Sequence, residues 1–173
     1  MKEKVQKLGR ALSAMVMPNI SIFIAWGLIT ALFIPDGWFP NPTLNEIVTP
    51  MQRFLLPLLI AYSGGKMIYD HRGGIIGACF AIGIIAGTET PMFIGAMIAG
   101  PLGGYLMKKV DQILDGHVPN GFEMLVNNFS AGILGALLAV IGCLLIEPAC
   151  VALTSALSSG VGFLVNHGLL PLT

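Results

Sequence analysis

Residues Phe122 to Gly142 read FEMLVNNFSAGILGALLAVIG, an apolar run that carries two adjacent amides, Asn127 and Asn128, and a hydroxyl at Ser130. About 20 largely apolar residues suffice to cross a bilayer as a helix. A polar group left in hydrocarbon costs several kcal/mol unless it finds a partner, so these amides are expected to face protein or a wet cavity. At helical spacing Asn128, Gly132, Gly135, Ala139 and Gly142 share one stripe, whose small residues let a second backbone approach closely. Asn127, Ser130, Ala131 and Leu134 lie beside it. Two roles stay open for the amide pair. It can hydrogen-bond between helices, typically worth ~0.6 to 2 kcal/mol in membranes. It can also offer donor and acceptor together to a neutral, hydroxyl-rich ligand.

Outward from this stretch the same character continues. The chain has 173 residues, 55% hydrophobic and only 10% charged, with 22 glycines and a mean hydropathy of +0.82. That is too apolar and too poor in charge for an ordinary soluble domain, and predicts an all-α integral membrane protein forming a single membrane domain over 1–173. At ~20 residues per crossing the chain has room for five or six spans. The net charge is zero and the basic residues fall in small clusters, which argues against nucleic-acid binding. Cys79, Cys143 and Cys150 sit in apolar context without CxxC spacing and read as buried thiols; His71, His117 and His167 have no ligand spacing, so no metal site is expected.

Six apolar segments are expected. A basic amphipathic start over about 1–12, with Lys2, Lys4, Lys7 and Arg10, leads into a first segment from Ala11 to Ile34 that Pro18-Asn19 should kink. A second runs from Pro50 to Met67, with Arg53 and Pro57 inside, and ends at the polar turn Asp70-His71-Arg72. Gly64-Gly65-Lys66 lacks the GxxxxGK[ST] spacing and the preceding strand of a phosphate loop. The third (Gly73 to Gly87) and fourth (Pro91 to Met107) are short, glycine-rich and joined by Thr88-Glu89-Thr90, as broken or re-entrant helices of transport pathways look in sequence. Gly95, Ala99 and Gly103 form one small-residue series and Ala96, Gly100 and Gly104 another, so segment four should pack closely on two sides. The quoted stretch is the fifth, and Ala149 to Leu164 the sixth.

Charge placement orients this layout. If segments one to five all cross, Lys2, Lys4, Lys7, Arg10, Lys66, Arg72, Lys108 and Lys109 share one side and only Arg53 lies on the other, so the N-terminus is expected inside. Asp36, Glu46, Glu89 and Glu147 fall on the outer side, and the sixth segment heads back inward. Glu89 is a solvated loop acid if its loop reaches the surface, and a functional candidate if the two short segments are re-entrant and hold it at membrane depth. No catalytic triad, nucleophile–base pair or cofactor fingerprint can be assembled, so catalysis by this chain alone is not expected.

MVMPNISIFIAWGLITALFIP (Met15 to Pro35), LLPLLIAYSGGK (Leu55 to Lys66), PMFIGAMIAGPLGG (Pro91 to Gly104) and GFEMLVNNFSAGILG (Gly121 to Gly135) carry a resemblance over essentially the whole chain. The chain resembles the membrane-embedded IIC components of the mannitol permeases of the bacterial phosphotransferase system. The resemblance implies a multi-pass permease component of the cytoplasmic membrane, for mannitol uptake coupled to phosphorylation by a IIB phosphocysteine, with IIB and IIA components as partners. It also implies a homodimer whose interface the N-terminal half supplies. The family's Gly-Ile-x-Glu sugar-binding motif and the IIB cysteine motif do not occur in these residues, so the resemblance is to the N-terminal half of a IIC domain, expected not to complete phosphotransfer alone. The tentative mannitol contacts are Asn127, Asn128 and Glu89; Gly95, Gly100, Gly104, Gly132 and Gly135 are expected to pack helices. The alternative is a truncated or split half-permease that acts as a structural or regulatory partner of a full-length one.

Overall fold

The computed structural model describes residues 2–88, 90–119 and 121–166, and every regular element among them is helical. The chain opens with α1 (Lys2–Val16). Pro18 supplies no backbone donor, and the helix tightens there into a 3-10 turn, Met17–Asn19, before α2 (Ile20–Phe33) resumes. The buried Asn19 amide donates to the carbonyls of Met15 (2.9 Å) and Leu59 (3.1 Å) and to Ser63 Oγ (2.9 Å), tying this break to a later helix. Two short helices follow, α3 (Pro42–Asn45) and α4 (Val48–Pro50). Asn41 caps α3 by accepting from the backbone N–H groups of Thr43 and Leu44.

The chain then passes through a π turn, Met51–Leu55, into α5 (Leu56–Ala86). Pro57 cannot donate to the carbonyl of Arg53 four residues earlier; the bond that forms instead runs from Leu56 N–H to Met51 O. Gly142–Ile146 repeats this pattern, with Glu147 N–H on Gly142 O and Pro148 next in line. Both π turns thus stop two residues short of a proline.

Inside α5 the backbone leaves helical geometry at Tyr69 (φ −147°, ψ 55°) and Asp70 (φ 40°, ψ −147°), and the two arms fold back on each other. Their glycines make this contact possible. A methyl group on Gly65 would collide with the Gly73 carbonyl, and one on Gly77 would come within 2.8 Å of the Ala61 carbonyl. Tyr62 Oη and His71 Nδ1 meet at 2.7 Å across the bend.

α6 (Phe93–Leu114) lies in the groove between the arms. A Cβ on Gly100 would strike the Ala61 carbonyl, one on Gly104 would sit 2.6 Å from the Gly65 carbonyl, and one on Gly95 2.8 Å from Ile84 Cγ2. α7 (Glu123–Ile141) runs parallel to the second arm, with Gly135 beside Ile76 and Cys79, Ala139 on Gly83, and Gly142 on Phe80 and Ile84. Phe80, Ile84, Ile85, Met92, Ala96, Ala99, Met107 and Leu138 make the common core.

α7, the second π turn and α8 (Glu147–Asn166) have 19, 5 and 20 residues. They continue as one helical rod of about 66 Å at ~1.5 Å per residue. The reversal expected between the fifth and sixth segments is therefore absent from the structure, because the π turn absorbs Pro148 without ending the helix. Beyond Cys150, buried against α6 near Gly95, the rod passes the end of the bundle and Val151, Leu153, Leu157 and Val161 stand exposed.

Among the described residues, three helical stretches are long and apolar enough to cross a membrane: Gly9–Phe33, Pro42–Ala86 and Glu123–Gly162. The middle one contains the folded-back α5.

Candidate functional site

The polar side chains of the bundle gather at the end where α5 bends. Arg72 opens the second arm there, and α6 brings Asp111 to it. Nε and Nη2 of the guanidinium donate to the two carboxylate oxygens at 2.9 and 2.8 Å, a bidentate ion pair. Nη1 and Nη2 also donate to the backbone carbonyl of Asn127, both at 3.1 Å. One side chain thus joins α5, α6 and α7.

Beside this junction lies an open cavity of about 520 Å³ whose lining includes Tyr69, Arg72, Asp111, Gln112, Glu123 and Asn127. Arg72 and Asp111 largely satisfy each other. Asn127 is exposed and lines the cavity, its side-chain amide has no hydrogen-bond partner among the described residues, and its backbone carbonyl also accepts from Ser130 Oγ at 3.0 Å. Chemically the cavity offers hydroxyl, amide and carboxylate groups to a polar neutral molecule, with the one cation already paired.

Asn128 points elsewhere. It lines a shallow apolar hollow of about 290 Å³ with Phe129, Gly132 and Ile133. No atom stands within 4 Å of where a Gly132 Cβ would be. The stripe read from the sequence is therefore split: Gly135, Ala139 and Gly142 meet the second arm of α5, whereas Asn128 and Gly132 face outward. The packed face is rotated toward Ala131, Leu134 and Leu138. Glu89 lies outside the described residues.

The sequence did not single out the Arg72–Asp111 pair, since 39 positions separate the partners, Arg72 read as an orienting charge and Asp111 drew no reading. It also passed over Asn19, whose polar character within an apolar run was a usable signal. Among the described residues, no three His, Cys, Asp or Glu side chains converge as metal ligands.

The family model described as phosphotransferase system, EIIC matches residues 13–173. The chain is 61% identical over 171 residues to the PTS system mannitol-specific EIICB component of Halalkalibacterium halodurans, covering 99% of this chain and 36% of that protein. It is 60% identical over 171 residues to the corresponding component of Bacillus subtilis, again covering 99% and 36%. Against the PTS system mannitol-specific EIICBA component of Escherichia coli the figures are 58% identity over 171 residues, 99% of this chain and 27% of that protein. The chain thus spans roughly a third of the length of these relatives. No solved structure matches it.

Proposed function

The chain belongs to the EIIC family of the phosphotransferase system, and from that premise we propose that it is the scaffold half of a mannitol permease. It takes part in uptake of mannitol across the cytoplasmic membrane, coupled to phosphorylation by a IIB phosphocysteine that IIA recharges. The observation that carries this reading is the identity of about 60%, spread over 99% of the chain, to components whose names specify mannitol.

In this reading the helices make five crossings with the N-terminus inside, the sixth segment continuing α7 without a reversal, so that Lys66, Arg72, Lys108 and Lys109 lie on the cytoplasmic side. Both arms of α5 cross, which raises the number of spans above the three continuous apolar stretches. The polar cavity then opens toward the cytoplasm, where the phosphoryl donor works. Asn127 is the polyol contact within it. Asn128, on the outward face, is the packing amide of a homodimer, and Gly132 beside it admits the second backbone. Gly95, Gly100, Gly104 and Gly135 hold the scaffold together, and Glu89, outside the described residues, stays a candidate contact. The exposed length of α8 supports a second reading, in which this half associates with a complete permease and regulates it.

Radiolabelled mannitol binding separates these roles. In a permease of the relatives' length carrying this sequence, Asn127→Leu should weaken mannitol binding at least tenfold with assembly intact. Asn128→Leu should impair dimer assembly at unchanged affinity. Unchanged binding and assembly in both variants would remove the assignments. Tight mannitol binding by membranes holding only these 173 residues would overturn the requirement for a second half. Co-purification with a tagged complete permease, without mannitol uptake by the chain itself, would favour the regulatory reading.

A further inference from the structure

Among the described residues, Arg53 is a cation without a carboxylate partner. It sits in the π turn Met51–Leu55, between apolar stretches, and its Nε is buried without a hydrogen-bond partner. Among the described residues the only ion pair is Arg72–Asp111, so none of their carboxylates lies within bridging distance of Arg53. Its guanidinium lies over the Phe54 ring, 5.1 Å from the centroid. An arginine on a spanning helix marks a functional contact by default, because it is retained there at a cost.

Its depth and surroundings indicate which contact. Arg53 precedes the bend at Tyr69–Asp70 by sixteen residues, about 24 Å of helix at ~1.5 Å per residue. If the bend marks one edge of a hydrocarbon layer ~30 Å thick, an arginine side chain at that height reaches the headgroups of the other leaflet. Phe54, under the guanidinium, also lines an apolar groove of about 570 Å³ with Ile47, Pro50, Met51 and Leu58. Glu46 and Thr43 stand exposed at its rim, toward the headgroup layer.

A second donor lies at this height. The Asn19 bonds to Leu59 and Ser63 fix where α2 starts beside α5. By helix rise, the seven residues from Asn19 to Trp26, ~10 Å along α2, bring Trp26 near the height of the turn that holds Arg53, and its Nε1–H is likewise buried without a partner among the described residues.

We propose that this corner is a binding site for an anionic phospholipid, with the headgroup phosphate on the Arg53 guanidinium and an acyl chain in the Phe54 groove. The guanidinium fork matches two phosphate oxygens, and the lipid's net negative charge balances a cation the described residues leave unpaired. The groove is apolar, which suits an acyl chain and gives no foothold to free inorganic phosphate.

Native mass spectrometry of the chain in mild detergent, titrated with dioleoyl phosphatidylglycerol or dioleoyl phosphatidylcholine, tests the site. One phosphatidylglycerol should bind about tenfold more tightly than phosphatidylcholine, and Arg53→Gln should abolish the preference while Arg53→Lys keeps part of it. A readout independent of that variant's folding uses Trp38→Phe, which leaves Trp26 as the sole tryptophan. Brominated phosphatidylglycerol should then quench Trp26 more strongly than brominated phosphatidylcholine at equal content. Equal affinity for the two lipids, equal quenching, or an undiminished preference in Arg53→Gln would overturn the proposal. Inorganic phosphate displacing the lipid at matched concentration would reassign the corner as a simple anion site.

Discussion

Arg72 shows how much one side chain carries in this molecule. Four of its five N–H donors are spent on Asp111 and on the Asn127 carbonyl, and lysine, a point charge on a flexible stem, reproduces neither the fork nor the three-helix junction. Arg72→Lys should therefore lower stability by about 1 to 2 kcal/mol, and Arg72→Ala by more, since it strands the Asp111 carboxylate. Thermal unfolding in detergent checks this, and an unchanged midpoint in both variants would show that the junction contributes nothing. At the bend itself Asp70 is the one non-glycine among the described residues with positive φ. Strain of this kind costs on the order of 1 to 3 kcal/mol, and glycine relieves it. Asp70→Gly is expected to raise the unfolding midpoint and Asp70→Val to lower it.

Between elements, close approach of backbones replaces the hydrophobic drive that lipid removes. The test is a matched pair of glycines. A methyl at Gly104 would stand 2.6 Å from the Gly65 carbonyl and 3.0 Å from its Cα, with no flexible side chain to yield. Gly104→Ala should cost roughly 2 kcal/mol through overpacking, whereas in the monomeric chain Gly132→Ala, with open space around it, should be neutral or stabilising by up to about 1 kcal/mol. Equal losses in both would contradict the rotated α7 face. This contrast also marks how far the sequence could be read. Helical periodicity identified α7 and its small residues, because spacing alone decides which of them share a stripe. It did not decide which stripe is covered, because Asn128–Gly132 and Ala131–Leu138 are both compatible with a 3.6-residue repeat. The Arg72–Asp111 pair was invisible for a similar reason: helix order along the chain does not reveal which charged ends meet. Pro18 was a better signal, since a missing N–H acts locally whatever packs around it.

For the whole molecule, the open matter is how a rod of about 66 Å fits a hydrocarbon layer about 30 Å thick. The rod has followed the second arm of α5 to its end by the time it reaches Glu147, at the start of α8, whose carboxylate lies against Gly87. If α7 crosses with that arm, α8 has to go somewhere, and Leu153, Leu157 and Val161 are too apolar to be left in water. The π turn at Gly142–Ile146 is the place to bend, since interrupted i→i−4 bonding is where long helices kink. We therefore expect α8 to lie within the bilayer, turned at the π turn. Single cysteines in a background free of Cys79, Cys143 and Cys150 report on this directly. With a membrane-impermeant maleimide on intact cells, a cysteine at Trp38 should react from outside and one at Lys108 only after permeabilisation, while one at Ser158 should stay protected in both conditions. Labelling of Trp38 and Lys108 from the same side would sink the five-crossing layout. Rapid labelling of Ser158 from outside would mean that the rod projects straight into solvent, and that some protein surface, not lipid, has to cover it.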